Sequence, residues 1–569
     1  MDMKNNTEQV TGSEALLRAL VREGVDTVFG YPGGAIIPVY DALMDHMDEL
    51  NHILVRHEQG AAHAAEGYAR ASGKPGVCLV TGGPGATNTL TGIADAMLDS
   101  TPIVVIAGQI ATDMIGTDAF QEVDFTCVTQ PICKWSYQIS TPEEICWAVA
   151  RAFFVAKSGR PGPVVLSITK NAQVGMTEFR HEKMDYIRSY DNDPEIDITR
   201  IREAAAAINA AKRPFVLAGQ GIELGEAQAE FRAFVEKGNL PFGSTLLGLS
   251  VMPSSHPLNK GMLGMHGNLC NNVKTNECDV LIAVGMRFDD RVTGNMSTYA
   301  RQAKIIHLDI DPSELGKNVP VDIPVLGDCR KTLAMLTERL VKVDRSEWID
   351  SFRKYQDEEY EKVISRELQP SGDTLRMGEV VDAVSRATDH KAILVTDVGQ
   401  NQMMAARYFS FTKKRSIITS GGMGTMGYAI PAGIGAAYAR PDRTVCVFMG
   451  DGGLQMTVEE FGTIMEHRIP VKMILLNNSY LGNVRQWQEL FYNRRYSFTR
   501  MTNPDFQILA SAYGIPSRRV IDRKDLRDAV REMLETDGPF FLEACVEEEE
   551  NVMPMTPPGN SIDDMLMEC

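Results

Sequence analysis

No run of apolar residues in this chain approaches the ~20 needed to cross a bilayer, so a membrane-spanning helix is excluded and no membrane partner is expected. The opening stretch, "MDMKNNTEQVTGSEALLRAL", has no apolar signal-peptide core. A basic excess is missing too: 57 lysines and arginines stand against 75 acids, a net charge of −18. Nothing would then neutralise a phosphate backbone, and no nucleic acid is expected as a partner. Small anions stay open, because glycine loops and helix N-termini bind phosphate without net positive charge. The ten cysteines include no C-x-x-C pair, which favours reduced thiols and a cytoplasmic location over disulfides or a zinc site.

What the chain has is length and apolar content. Its 569 residues, 44% hydrophobic and 23% charged, suit about three or four globular domains. Region one, 10–178, carries the strand-like runs "DTVFG", "HILVR", "GVCLVT", "PIVVIAG" and "GPVVLSI", with helix-like stretches such as "AAHAAEGYARA" between them. After a polar linker, region two, 195–340, repeats the alternation with "RPFVLAGQG", "VLIAVGMRF" and "KIIHLDI". A charged helical segment, 346–368, leads to region three, 375–548, and an acidic tail, 549–569, reads as a surface segment or a mobile lid. Buried β-branched runs alternating with amphipathic helices predict an α/β protein of three doubly wound parallel-sheet domains. Regions one and three look alike. Each runs strand, glycine turn, helix, proline, strand, and Gly82 precedes Pro102 by the same 20 positions as Gly450 precedes Pro470.

The most informative stretch is "MGDGGLQMTVEEFGTIMEHRIPVKMILLNNSY", 449–480. It reads as strand end, "GDGG" turn, helix and second strand. A right-handed crossover returns both strand ends to one sheet edge, where ligands of open α/β sheets bind. Asp451 and Asn478 then sit side by side, two oxygen donors of the kind magnesium takes, beside glycines that admit a diphosphate. Either half alone is more often a plain turn or strand end; the pair at this spacing is not.

"GDGG…LLNN" resembles the metal motif of the thiamine-diphosphate-dependent enzymes. The resemblance implies Mg²⁺ held by Asp451, Asn478 and the Tyr480 carbonyl, with Gly452 and Gly453 against the diphosphate. It also implies a catalytic glutamate at Glu58, in "HILVRHEQGAAHAAEGYARASG", bonded to the cofactor's aminopyrimidine, through which the weakly acidic C2 proton is removed. Alone, Glu58 is more often a helix-start carboxylate favoured by the dipole. His57 and His63 lack supporting ligands and read as structural. "SGGMGTMGYAIPAGIG" contains G-x-G-x-x-G, but no free acid follows about 20 residues on, after a strand, as a nicotinamide site requires. In the family this stretch underlies the pyrimidine, at Gly424 and Met426, and "VGQNQM" lines the diphosphate through Gln400.

Further stretches resemble the acetohydroxyacid synthases within that family: "GMRFDDRVTG", "IIHLDIDPSELGK", "LGMHG" and "GRPGPV". There they hold flavin adenine dinucleotide (FAD), and the residues carried over are Arg160, Gly219, Gly221, Thr245, Met265, His266, Gly285, Arg287, Asp289, Arg291, Asp309 and Asp328. The residues themselves agree in part, since Asp309 ends a strand where an acid could accept ribose hydroxyls and arginines could meet phosphate. The resemblance names Gly33, Phe120, Gln121, Lys170 and Trp487 as further catalytic positions. Region one would be the pyrimidine-binding domain, region two the FAD domain and region three the diphosphate domain. The implied activity decarboxylates pyruvate and adds the two-carbon unit to a second 2-ketoacid, either pyruvate or 2-ketobutyrate. The implied assembly is a homodimer or larger with the site shared between chains, joined by a small regulatory subunit. One departure stands out: Asn483 follows "LG" where the family often has an apolar residue. A flavin-dependent pyruvate oxidase is the nearest rival; a flavin-free catabolic relative leaves "GMRFDDRVTG" unexplained, and a non-catalytic scaffold leaves Glu58, Asp451 and Asn478 without a use.

Overall fold

A computed structural model of the chain describes residues 8–568. Three six-stranded sheets, each parallel in the pairings described, organise it. The first contains β1 (Thr27–Tyr31), β2 (Asn51–Leu54), β3 (Gly76–Val80), β4 (Ile103–Gln109), β5 (Trp135–Ile139) and β6 (Val164–Thr169). The second contains β7 (Pro214–Ala218), β8 (Phe242–Ser244), β9 (Asn259–Met262), β10 (Val280–Val284), β11 (Lys304–Asp309) and β12 (Ile323–Leu326). The third contains β13 (Ile393–Thr396), β14 (Ile417–Thr419), β15 (Val445–Gly450), β16 (Val471–Asn477), β17 (Ser517–Val520) and β18 (Phe540–Cys545). Central strands such as β3, β4 and β10 are buried along their whole length, as strands covered on both faces must be.

Strand order separates the sheets into two kinds. The first runs β2-β1-β3-β4-β6-β5 and the third β14-β13-β15-β16-β18-β17, the same permutation in both. The second runs β9-β8-β7-β10-β11-β12, the order of dinucleotide-binding doubly wound sheets. The fold class read from the sequence is therefore the one observed, with the first and third sheets alike and the middle one different. In every sheet the order reverses beside its first strand, and the crevice there lies between β1 and β3, β7 and β10, or β13 and β15.

By packing, the chain forms two compact units. Unit one comprises Met1–Asn192, Ser420–Asp442 and Gln455–Val471; unit two comprises Asp193–Thr419, Arg443–Leu454 and Lys472–Cys569. Within unit one, helix Ala429–Ala439 packs on α1 (Glu58–Ser72). Gly67 faces Ala432 and Gly435 faces Ala64 with no room for a Cβ, so small residues let the two backbones touch. Within unit two, the tail runs back over its own unit: Met555 and Ile562 are buried, and Thr556 N–H donates to the Met265 carbonyl. No helix among the described residues is long and apolar enough to cross a membrane.

Unit one also contains a pH-sensitive buried pair. His181 Nε2 lies 3.0 Å from Glu23 Oε1, with both side chains almost wholly buried. Burial pushes the imidazole down, but hydrogen bonds to Cys146 and Glu23 outweigh it and raise its pKa to about 9. A histidine raised in the folded state stabilises fully below its unfolded value of ~6.5 and loses that contribution as pH climbs through the folded value. His181→Gln is thus expected to melt a few degrees below wild type at pH 6, with the gap closing by about pH 10. A gap independent of pH in thermal melts would refute the assignment.

Candidate cofactor and active site

The crevice of the third sheet collects the metal motif. Asp451 follows β15 directly and opens helix Asp451–Met456, so "GDGG" is a helix start here and not the free turn expected. Asn478 follows β16, the neighbouring strand. Asn503, which sequence spacing gave no means of finding, ties the two strand ends together. Its Nδ2 donates to Asp451 Oδ2 at 2.7 Å and to Asn477 Oδ1 at 3.2 Å. Burial raises the Asp451 carboxyl to about 6, against hydrogen bonds from Asn503 and from backbone N–H groups including that of Ser479. A carboxylate so desolvated is one that a bound cation would return to its charged form. Asn478 keeps its amide oriented: Oδ1 accepts from Tyr480 N–H at 3.3 Å, and Nδ2 donates to Gln400 Oε1 at 3.2 Å. The donor set, two side-chain oxygens and the Tyr480 carbonyl on one edge, fits Mg²⁺.

Gln400 begins α2 (Gln400–Tyr408) across the same crevice, behind Gly399 at φ 125°, a conformation glycine permits. Its side chain is used within the protein, donating to Gln486 Oε1 at 3.1 Å and to the Glu550 carbonyl at 2.7 Å. What α2 offers a diphosphate is its N-terminal turn. Gly453 sits against Asp397, where a Cβ could not fit.

In unit one the first sheet's edge gathers the catalytic candidates. Glu58 is the first residue of α1, half-buried, with His57 capping the helix through Nδ1. Glu58 Oε2 accepts from Asn88 Nδ2 at 2.9 Å, and Gly85 lies over Oε1. Across the β1/β3 crevice a Cβ on Gly33 would lie 2.6 Å from Thr81 Cβ. Gln121, at φ 65°, packs on Gly83, while Phe120 is 87% exposed and Lys170 stands exposed after β6. His63, read from the sequence as lacking supporting ligands, has two buried carboxylates beside it, its Nδ1 lying 2.8 Å from Glu66 Oε1 and 4.0 Å from Asp95 Oδ2. The loop carrying Gly424 and Met426 also belongs to unit one. Asp99 holds it by accepting from Gly421 and Gly422 N–H at 2.8 and 2.7 Å, and Asp95 by accepting from Ser420 Oγ. Asn88, Asp95 and Asp99 were invisible in the sequence because they act by position and fit no spacing rule.

The second sheet's crevice holds most of the flavin candidates. Gly219 and Gly221 follow β7, and Gly285 follows β10 at φ 57°. A Cβ on Gly221 would come within 2.6 Å of Gly285 Cα, so the three glycines keep the floor of the crevice as bare backbone. Thr245 N–H donates to the Ala218 carbonyl beside them. His266 is buried with no partner on Nδ1 among the described residues, and burial, with Arg407 and Arg291, lowers its pKa to about 3. A neutral imidazole with an unused ring nitrogen, and an open backbone floor at a dinucleotide switch point, are each features that fit an FAD group. Asp289 and Asp328 cap helices Asp290–Thr293 and Cys329–Arg339, Asp309 accepts from Asp311 N–H, and the Arg287 carbonyl accepts from Asn318. Arg160 lies in unit one, bonded to Ser100 Oγ at 2.9 Å.

Trp487 sits on α3 (Gly482–Phe491), edge-on to Phe491 and beneath the Arg291 guanidinium. It lines a cavity of about 630 Å³ together with Asn483, Phe491, Tyr492 and Arg495. Asn483 Oδ1 and Trp487 Nε1 are both buried without partners among the described residues, so the departure at Asn483 adds a polar atom to an aromatic wall.

Comparison with known proteins identifies the class of the chain. Residues 10–128, 201–336 and 397–544 match the families described as thiamine pyrophosphate enzyme N-terminal TPP binding, central and C-terminal TPP binding domains. The cofactor is thiamine diphosphate under its other name. The acetolactate synthase large subunit of Lactococcus lactis is 43% identical over 98% of this chain and 96% of its own length. The acetolactate synthase isozyme 2 large subunit of Escherichia coli is 42% identical, covering 98% and 99%. The large subunit from Corynebacterium glutamicum is 42% identical, covering 98% and 90%. Fold, site and matches together define a thiamine pyrophosphate enzyme. Within that class the chain belongs to the acetolactate synthase large-subunit family.

Proposed function

We infer that the chain is the catalytic large subunit of an acetolactate synthase. It decarboxylates pyruvate and joins the remaining two-carbon unit to pyruvate or to 2-ketobutyrate, giving 2-acetolactate or 2-aceto-2-hydroxybutyrate, the first common step toward valine, leucine and isoleucine. Full-length similarity to named large subunits carries this reading, and the presence of Glu58, Asp451 and Asn478 together supports it over a non-catalytic relative.

In this reading residues 10–178 receive the pyrimidine, 195–340 the flavin and 375–548 the diphosphate, followed in sequence by the tail 549–569. Asp451, Asn478 and the Tyr480 carbonyl would hold Mg²⁺, which would supply positive charge to the diphosphate. Gly424 and Met426 underlie the pyrimidine, and Gly452, Gly453 and the first turn of α2 approach the phosphates. Thiamine diphosphate, when bound, supplies an acidic carbon that attacks ketones once deprotonated. Glu58, kept in place by Asn88, would hold and move the proton on the aminopyrimidine. Gly33, Phe120, Gln121 and Lys170 surround the substrates, and Trp487 meets the acceptor's side chain, where one methylene is worth about 1–3 kcal/mol. The β7/β10 crevice would hold the flavin, whose part would be structural or vestigial because the reaction has no net redox change. We place the enzyme in the cytoplasm as a homodimer or larger, sites shared between chains, with a small regulatory subunit.

The decisive experiment supplies pyruvate and 2-ketobutyrate together with thiamine diphosphate, Mg²⁺ and FAD, and identifies products. Both acetohydroxyacids should form with the flavin staying oxidised. Rapid flavin reduction with acetate or acetyl phosphate as product would instead assign a pyruvate oxidase.

A further inference from the structure

Helix α2 starts at the crevice of the third sheet with Gln400 and ends beside the loop that carries Met265 and His266. The connection is Arg407, one residue from the helix end, with its side chain 2% exposed. Its Nη1 donates to the carbonyls of His266 and Gly267 at 2.9 and 3.0 Å, and its Nη2 pairs with Glu359 at 2.5 Å. Glu359, 1% exposed, grips the other end of the same loop. It accepts from Asn268 Nδ2 at 2.9 Å and from Leu269 N–H at 2.7 Å, where helix Leu269–Glu277 begins. Just ahead of these grips Met265 N–H donates to the Arg291 carbonyl at 2.7 Å. Glu359 itself closes helix Arg353–Glu359, and the chain continues as a π-helical turn, Tyr360–Ile364, an irregularity that aims a side chain away from ordinary helical register.

A buried ion pair is seldom the most stabilising choice for a core; packed apolar residues do as well or better. What this pair provides is orientation. A planar guanidinium with its donors fixed in a fork cannot bond two successive carbonyls and a carboxylate unless loop and helix hold one relative pose. Both partners touch the loop, and only Arg407 belongs to α2.

We propose that Arg407 and Glu359 form a clamp through which the Met265–Asn268 loop and α2 order each other, so that flavin bound at the loop tightens thiamine diphosphate bound at the start of α2. The proposal rests on the reading above, in which the loop faces flavin and α2 faces the diphosphate. Flavin on Met265 and His266 restricts the two carbonyls to which Arg407 donates, and a restricted loop leaves α2 less freedom to lose when the diphosphate binds. By linkage the effect is reciprocal: thiamine diphosphate tightens FAD by the same factor. Arg407 and Glu359 are positioning residues in this scheme and touch neither cofactor.

Equilibrium dialysis tests it on the full chain. The affinity for thiamine diphosphate at fixed Mg²⁺ is measured with the protein stripped of flavin and again saturated with FAD. The wild type should bind about 5- to 50-fold tighter with FAD present, within the usual range of coupling between sites. The doubly neutral variant Arg407→Gln, Glu359→Gln keeps hydrogen-bonding groups and leaves no lone buried charge. It should still bind FAD, while the ratio falls below about twofold. Arg407→Lys keeps the charge but loses the fork, and should fall between the two. A wild-type ratio near one, or a ratio unchanged in both variants, overturns the clamp and leaves the flavin reading standing. Absence of FAD binding by the wild type removes the flavin reading and the clamp with it.

Discussion

Glutamine at position 58 is expected to lower acetolactate formation by about 10²–10⁴-fold, the range for losing one positioned proton-transfer group. The substitution is close to isosteric. Its amide oxygen can still accept from Asn88 Nδ2, the bond that fixes Glu58 at 2.9 Å, and Gly85 leaves room above the other atom. The first turn of α1 loses a carboxylate that favours the helix dipole, worth about 0.3–1 kcal/mol, and His57 continues to cap the helix. Folding and Mg²⁺-dependent binding of thiamine diphosphate should therefore survive while proton transfer fails. Exchange of the bound cofactor's C2 proton into deuterated solvent, followed by NMR after acid quench, separates these effects. Exchange at the wild-type rate would strip Glu58 of its role, whatever had happened to turnover. A variant that binds no cofactor would show that the carboxylate serves the site's architecture instead.

The neighbouring strand ends that carry Asp451 and Asn478 were legible in the sequence because a crossover connection constrains where strand ends go, and 27 positions fit a crossover helical segment and the returning strand. Central strands were legible for a related reason: burial on both faces leaves an unbroken apolar run, as in β4 and β10. Edge and short strands carry no such mark. The sequences of β9, "NKGM", and β17, "SRRV", owe their extended form to a neighbour's hydrogen bonds and not to their own composition. The same limit explains what was missed at the sites. Asn503 reaches Asp451 from 52 positions away through a loop, and Arg407 reaches His266 from 141 positions away. Nothing periodic records either contact. Helix Ala429–Ala439 taught a further lesson: its sequence neighbours form the third sheet, yet it packs within unit one on α1, because Gly67 and Gly435 make a flat face on each helix.

Alanine at position 451 is expected to weaken thiamine diphosphate binding at about 1 mM Mg²⁺ by at least about 100-fold, to the point where no activity is measurable. Three losses combine. The metal loses a charged hard-oxygen ligand, and a diphosphate without its cation meets a chain of net charge −18. Asn503 Nδ2 loses its 2.7 Å acceptor and keeps only the bond to Asn477 at the end of β16, so its tie between the two strand ends is lost. A small void also opens at the start of helix Asp451–Met456. Asp451→Asn separates these terms, because it fills the void and still offers Asn503 an oxygen while removing the charge. If charge at the metal dominates, the asparagine variant should resemble alanine in affinity yet melt close to wild type. FAD should remain bound in both, since its candidate residues surround the β7/β10 crevice of a different sheet. Dialysis against each cofactor separately, with the melting temperature recorded alongside, gives all three readings. Wild-type affinity for thiamine diphosphate in the alanine variant would move the metal elsewhere, and loss of FAD from either folded variant would end the assignment of the two cofactors to separate sheets.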